Sequence, residues 1–224
     1  GSYVAFTDQD DVWHTDKLES QLGLMDSTGA DVVSSNVTSF ESLPGGGVGE
    51  RHLIRKSQPM RDWDFLFEAA GPGSTYVFSP TAHSALVEVI NRLDYSRIGV
   101  HDWYVYALAR AIGLTWVIGE EPTLEYRQHG GNVQGANSGS GARDARMEKL
   151  RNGFYRNQFI LTARAAQQVG AFDAPRRIEL AQILRELEAD SQWARLRFAL
   201  RYRQIRRDRL EGIKLAAARF LRVW

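Results

Sequence analysis

The most chemically loaded stretch of the chain is YVAFTDQDDVW, Tyr3 to Trp13, where four residues suited to a buried strand run into Asp8, Asp10 and Asp11. Carboxylates this close disfavour one another's ionised forms unless a cation, a bound proton or open water relieves them. Two chemistries fit. A hard divalent cation, Mn²⁺ or Mg²⁺, needs only one or two protein carboxylates when substrate phosphates complete its shell. Alternatively, Asp8 attacks phosphorus as a nucleophile with Asp10 as its acid/base partner. An exposed acidic loop is the plain alternative, and the strand-end setting followed by Trp13 weighs against it.

Three further stretches carry candidate chemistry. In GVHDWYVYALARAIG, His101 and Asp102 stand at a helix beginning. Taken alone, Asp102 is best read as a cap on free amides; its functional reading is a general base. Trp103 and Tyr104 offer apolar faces to a sugar ring, although that spacing also suits a core. In EYRQHGGNVQGA, Arg127 supplies a fork of donors for phosphate, His129 a donor or metal ligand, and the glycines a close backbone approach. In GPGST, Gly73 and Ser74 bring a tight turn and its amides toward a ligand, or form an ordinary turn.

The elements that position these residues alternate. Asp16 with Glu19 reads as a capping box opening a helix to about Met25. ADVVSSNVTSF reads as one strand, LPGGGVGE as a turn before an extended piece at His52–Ile54, and RDWDFLFEAA as a short helix. Pro80 suits the first turn of a helix over PTAHSALVEVINRL, and Gly113 stops the HDWYVYALARAIG helix before the strand LTWVIG. From Ala142 the pattern is helical, with breaks near Gly170 and Pro175. The expected architecture is an α/β domain over 1–141 with a mixed sheet, followed by an all-helical extension over 142–224.

Composition narrows the options. The 224 residues, 43% hydrophobic and 11% aromatic, suffice for a substantial core, and the absence of cysteine excludes a disulfide framework, a thiolate zinc site and a cysteine nucleophile. The net charge of +1 divides sharply: residues 1–142 carry 9 Lys+Arg against 18 Asp+Glu, and residues 143–224 carry 19 against 9. The acidic part suits cations and what they carry, and the basic part suits phosphate. Gly1-Ser2 reads as an introduced scar before a strand that begins at once, so native sequence upstream is expected.

Taken in order, FTDQDDVWHTDKL, GPGSTYVFS, HDWYVYALARAIG and YRQHGGNVQGA resemble the inverting family 2 glycosyltransferases, in particular their rhamnosyltransferase-like branch. The resemblance covers Tyr3 to Ala136. It implies a GT-A (Rossmann-like) fold, a nucleotide-diphosphate sugar donor, and a saccharide or polyprenyl-linked acceptor. It further implies a D-x-D metal site at Asp8, Asp10 and Asp11, with Asp10 or Asp11 the direct ligand. Asp102 matches the base, His101 and Trp103 flank it, and Arg127 with His129 matches the loop over the diphosphate. Family members begin with a nucleotide-binding half that does not precede Tyr3, so impaired catalysis and pairing of exposed strand edges between copies are expected of this chain. The opening also resembles the first motif of haloacid dehalogenase-type phosphatases. That family's downstream lysine and late acidic pair find no match, since Lys17, Lys56, Lys149 and Lys214 lie in apparent helices or a loop. A non-catalytic binding or assembly module is the third reading.

Residues 191–224 hold 10 Lys+Arg against 2 Asp+Glu. Leu210, Ile213, Ala217, Phe220 and Trp224 recur at helical spacing, with Arg203, Arg206, Arg207 and Arg209 beside them. Such a helix suits an anionic membrane surface, and packing on its own domain is the equal alternative. No nucleic-acid-binding fold accompanies the charge. The implied localisation is cytoplasmic, peripheral at the inner face of the plasma membrane.

Overall fold

A computed structural model describes residues 1–42, 47–128 and 140–224. The strands are β1 (Val4–Ala5), β2 (Val12–Trp13), β3 (Val32–Ser35), β4 (Val37–Ser42), β5 (Val48–Ile54), β6 (Val77–Phe78), β7 (Trp116–Gly119) and β8 (Leu124–Gln128). The helices are α1 (Lys17–Thr28), α2 (Pro80–Ile90), α3 (His101–Ala111), α4 (Ser140–Arg151), α5 (Phe154–Val169), α6 (Ala174–Glu188), α7 (Gln192–Leu200) and α8 (Arg209–Phe220). Mixed sheets flanked by helices give the α/β architecture expected of a GT-A core.

The chain forms two compact units that do not follow its linear order. One comprises Gly1–Ser57, Ala70–Ala85 and Leu114–Arg146; the other comprises Gln58–Ala69, Leu86–Gly113 and Met147–Trp224. Packing therefore groups α3 with the C-terminal helices, whereas the linear division ran at 141/142.

The first unit holds two four-stranded sheets, ordered β1-β6-β3-β7 and β2-β8-β4-β5. β3 is flanked by antiparallel β6 and parallel β7, and all four of its residues are buried. The segment ADVVSSNVTSF, expected as one strand, divides at Asn36, and its halves join different sheets. The Asn36 side chain makes the division possible. Its amide donates to the Ser57 hydroxyl and the Glu120 carbonyl, and its oxygen accepts from the amides of Lys56 and Ser57. Backbone groups that leave one ladder thus find partners before the next begins. Met25, Ala30, Val33 and Val77 form the apolar core, beside a cluster of Phe6, Tyr76, Phe78 and Trp116.

The α1 helix begins after Asp16 and stops at Gly29, whose φ of 65° lies in the left-handed region. The expected capping box is not formed, because the Asp16 side chain makes no capping bond. RDWDFLFEAA is shorter than expected too, a single 3-10 turn at Asp64–Leu66 whose three residues are buried.

In the second unit, Phe159 of α5 packs against Phe67, Trp103 and Trp224, and Phe198 of α7 against Phe67 and Trp224. Asp64 is its polar centre. One carboxylate oxygen accepts from the Tyr106 hydroxyl at 2.9 Å and from Arg207 at 2.8 Å, and Arg110 lies 3.5 Å from the other. Arg207 also reaches the Ala69 carbonyl at 2.6 Å and Glu68 at 3.2 Å. Burial and the adjacent Asp64 carboxylate push the Tyr106 hydroxyl far above its ordinary range, so it stays a proton donor.

These contacts correct the expectation for the basic tail. Arg207 and Arg219 are buried, Arg206 is half-buried against the Phe67 carbonyl, and Trp224 belongs to the aromatic core. Residues placed on one amphipathic stripe by spacing alone are divided by packing between interior and surface. Among the described residues no helix is long and apolar enough to cross a membrane.

Candidate active site

Strand register brings the carboxylates together with a residue 116 positions away. β2 pairs antiparallel with β8, Val12 opposite Glu125 and Trp13 opposite Leu124. Continuing this register by two residues sets Asp10 opposite Arg127. The Arg127 Nε donates to the Asp10 carbonyl at 3.0 Å, its backbone N–H donates to Asp11 Oδ1 at 3.2 Å, and its guanidinium lies 4.8 Å from the Phe40 ring centre. Two of the sequence-derived site motifs thus meet at one strand end.

GPGST joins them. Gly73–Thr75 forms a buried 3-10 turn, and the Ser74 hydroxyl donates to Asp11 Oδ2 at 2.5 Å. Both oxygens of Asp11 therefore serve structural bonds, one to each of two distant segments. Burial pushes the Asp11 carboxyl above the usual carboxylate range; Ser74 and the Arg127 amide pull against this, and Asp8 and Asp10 add to it. Asp8 is exposed and Asp10 half-buried. Among the described residues no group of three His, Cys, Asp or Glu side chains is arranged to hold a metal. The donors available are one or two carboxylates, the hard-oxygen set that suits Mg²⁺ or Mn²⁺ held jointly with substrate phosphates.

Beneath the loop lies a buried cation. Lys17 opens α1 almost wholly shielded from solvent, with its Nζ 4.8 Å from the Trp13 ring centre and donating to Gln21 Oε1. Burial lowers its pKa to about 8. From about pH 8 up to the ordinary lysine value of about 10.4, the unfolded chain binds a proton here that the folded chain lacks. Stability attributable to this site should therefore rise with pH across that window, by up to about 1.4 kcal/mol per pH unit. Urea unfolding at pH 8, 9 and 10 should show this rise in the wild type and a flatter profile in Lys17→Met. Parallel profiles would refute it.

The second unit carries Asp102. The N-cap of α3 is Val100, whose side chain makes no capping bond, and Asp102 is the second helical residue. Its charge sits favourably in the first turn. His101 Nε2 lies 2.7 Å from Asp102 Oδ1, the imidazole largely exposed and the carboxylate half-buried. Gln158 of α5 secures the approach to this helix, accepting from the Gly99 amide at 2.9 Å and donating to the Arg97 carbonyl at 3.1 Å. At Gly99 an added Cβ would meet the Phe154 ring at 2.8 Å.

Trp103 is a correction. It is buried, its indole N–H donates to the Phe65 carbonyl at 2.9 Å, and its ring packs edge-on against Phe159. A sugar would find no face there. Gly73 likewise lies within the buried turn. His129 lies outside the described residues.

Sequence reasoning missed Lys17, Gln21 and Gln158 as supports. For the first two a signal existed: Lys17, Gln21 and Met25 recur at four-residue spacing and form the buried face of α1. Gln158 gave no comparable signal, because its bonds run to the 97–99 segment.

Residues 1–93 match the family model "Glycosyl transferase family 2". A curated relative, the dTDP-rhamnosyl transferase RfbG of Shigella flexneri, is 36% identical over 168 residues, covering 73% of this chain and 55% of the relative. The chain thus spans just over half the length of that relative. Among solved structures, S. aureus TarS residues 1–349 in complex with UDP-GlcNAc aligns with a TM-score of 0.47 at 11% identity, over 100% of this chain and 65% of that one. The family match falls on the segment that carries Asp8, Asp10, Asp11 and Ser74, and it favours the transferase over the phosphatase. The chain is similar to the family 2 glycosyl transferases through residues 1–93 and, over 168 residues, to a rhamnosyl transferase.

Proposed function

We propose that this chain contributes the metal-dependent and acceptor-activating parts of an inverting glycosyltransferase that moves a sugar, rhamnose from dTDP-rhamnose, onto a saccharide or polyprenyl-linked acceptor. The observation that carries this reading is the convergence of Asp10, Asp11, Ser74 and Arg127 at one strand end. Rhamnose and dTDP rest on the relative's name.

Asp8 and Asp10 would hold Mn²⁺ or Mg²⁺, and Asp11, with both oxygens engaged, anchors the loop that presents them. The bound cation supplies charge neutralisation to the departing nucleoside diphosphate. Arg127 fixes the loop through the Asp10 carbonyl. Asp102 takes the proton of the acceptor hydroxyl as that oxygen attacks the anomeric carbon, and one in-line displacement inverts the centre. His101 orients the carboxylate.

Calorimetric titration tests the donor half. Mn²⁺ followed by dTDP should give metal-dependent binding to the wild type, with UDP weaker, and Asp10→Ala should lose it. Metal binding without nucleotide binding would place the nucleotide contacts outside this chain. Absence of both would favour the non-catalytic module.

The tail supports a peripheral membrane role of a changed form. α7 exposes Trp193 and Leu200, and α8 exposes Leu210, Ile213 and Phe220 with Leu221 just after it; Arg203, Arg209 and Lys214 are exposed as well. Anionic lipid would be drawn at about 1 kcal/mol per basic residue near the surface. Truncating 191–224 would remove Arg207 and Trp224 from the interior, so surface substitution is the cleaner test. Trp193→Glu with Leu210→Glu should abolish co-sedimentation with phosphatidylserine liposomes, and unchanged sedimentation would eliminate this face.

A further inference from the structure

The inward face of α1 breaks a local rule. Of its three buried positions, Lys17, Gln21 and Met25, two are polar, and one of those is a lysine, a residue almost never fully buried unless paired. Departures of this kind concentrate where function requires them.

The polar atoms of Lys17 and Gln21 form a chain of contacts that ends on the Gly73–Thr75 turn. The ammonium, which has only donors, donates to Gln21 Oε1. With that oxygen engaged, the Gln21 amide nitrogen faces the other way and donates to the Thr75 carbonyl at 2.7 Å. Thr75 ends the turn whose middle residue, Ser74, donates to Asp11 Oδ2. On its other side Lys17 lies over Trp13, two residues beyond Asp11. The lysine is thus packed between the carboxylate loop and, through Gln21, the turn that grips it.

We propose that Lys17 and Gln21 are positioning residues of the carboxylate site, a polar brace that sets the Gly73–Thr75 turn so that Ser74 holds Asp11 and, through it, the loop presenting Asp8 and Asp10. The proposal deepens the donor-site reading above and rests on it. Asp11 engages Ser74 with one oxygen and the Arg127 amide with the other, so a displaced turn releases one of two anchors. Hydrogen-bonded supports of this kind affect metal affinity by about 10- to 100-fold.

The test titrates Mn²⁺ into the full chain by calorimetry, beside amide NMR of the Asp8–Asp11 loop without metal and thermal melting. Ser74→Ala removes the bond to Asp11 directly, so it should shift the loop amides and weaken Mn²⁺ about 10-fold or more. Gln21→Glu keeps the shape and the acceptor for Lys17 but cannot donate to Thr75. It should shift the same amides, weaken Mn²⁺ by a similar factor, and add little to Ser74→Ala in the double variant. Lys17→Met should act likewise. A Gln21→Glu chain that melts as the wild type and binds Mn²⁺ unchanged, while Ser74→Ala weakens it, overturns the brace. If Gln21→Glu unfolds, Lys17→Met carries the same comparison. A wild type that binds no Mn²⁺ overturns the donor-site reading and the positioning role with it; the loop amides, read without metal, separate that failure from failure of the brace.

Discussion

Asp102→Asn should lower the rate of sugar transfer by about 10²- to 10⁴-fold, the usual contribution of a positioned general base, while metal-dependent nucleotide binding stays near the wild-type value. The substitution preserves size and an oxygen acceptor for the contact that His101 makes at 2.7 Å. It removes the negative charge and with it the capacity to take a proton. The measurement is single-turnover transfer from dTDP-rhamnose, with calorimetric donor binding alongside. Loss of transfer and binding together would remove Asp102 from the base role, and retained transfer would do so more directly. Proton nuclear magnetic resonance of the product reads the anomeric configuration, and retention would refute single displacement.

Asp64→Ala should destabilise the second unit by about 3–5 kcal/mol, the range for breaking a buried ion pair from one side. The carboxylate is fully buried between Arg207, Arg110 and the Tyr106 hydroxyl. Without it two arginines face each other across a site shielded from water. Arg207→Ala should fall in the same range, because it leaves Asp64 and Glu68 short of the same partner. Urea unfolding followed by tryptophan fluorescence would read either loss, with Trp63 and Trp103 buried in this unit. A change below about 1 kcal/mol would mean that Arg110 and Tyr106 satisfy Asp64 unaided. The same network ties α3 to Gln58–Ala69 and to the segment after α7, so Asp64→Ala should also disturb Asp102 indirectly. Asp64→Asn, which retains the hydrogen-bonding shape, should sit between wild type and Asp64→Ala in both stability and rate.

Local chemistry was legible along the chain. Four apolar residues followed by three carboxylates announced a strand end bearing charge. Pro80 and Gly113 marked where α2 starts and α3 stops, and the order of four motifs pointed to the family. These signals depend on neighbours within a few residues, where backbone preference and side-chain spacing act directly.

What the motifs do to one another was decided only by the tertiary structure. Asp11 read as one of three neighbouring carboxylates, and only the fold brought Ser74 and the Arg127 amide to its two oxygens. Trp103 looked like a sugar platform until α5 covered it. The basic stripe of the tail looked like one surface, and Asp64 and Glu68, more than a hundred residues earlier, drew Arg207 into the interior. Spacing specifies which residues share a helix face, but burial depends on which distant partner that face meets. A charged group enters the interior only when that partner offsets its desolvation, and this is why Arg207 is buried while Arg203 stays in water.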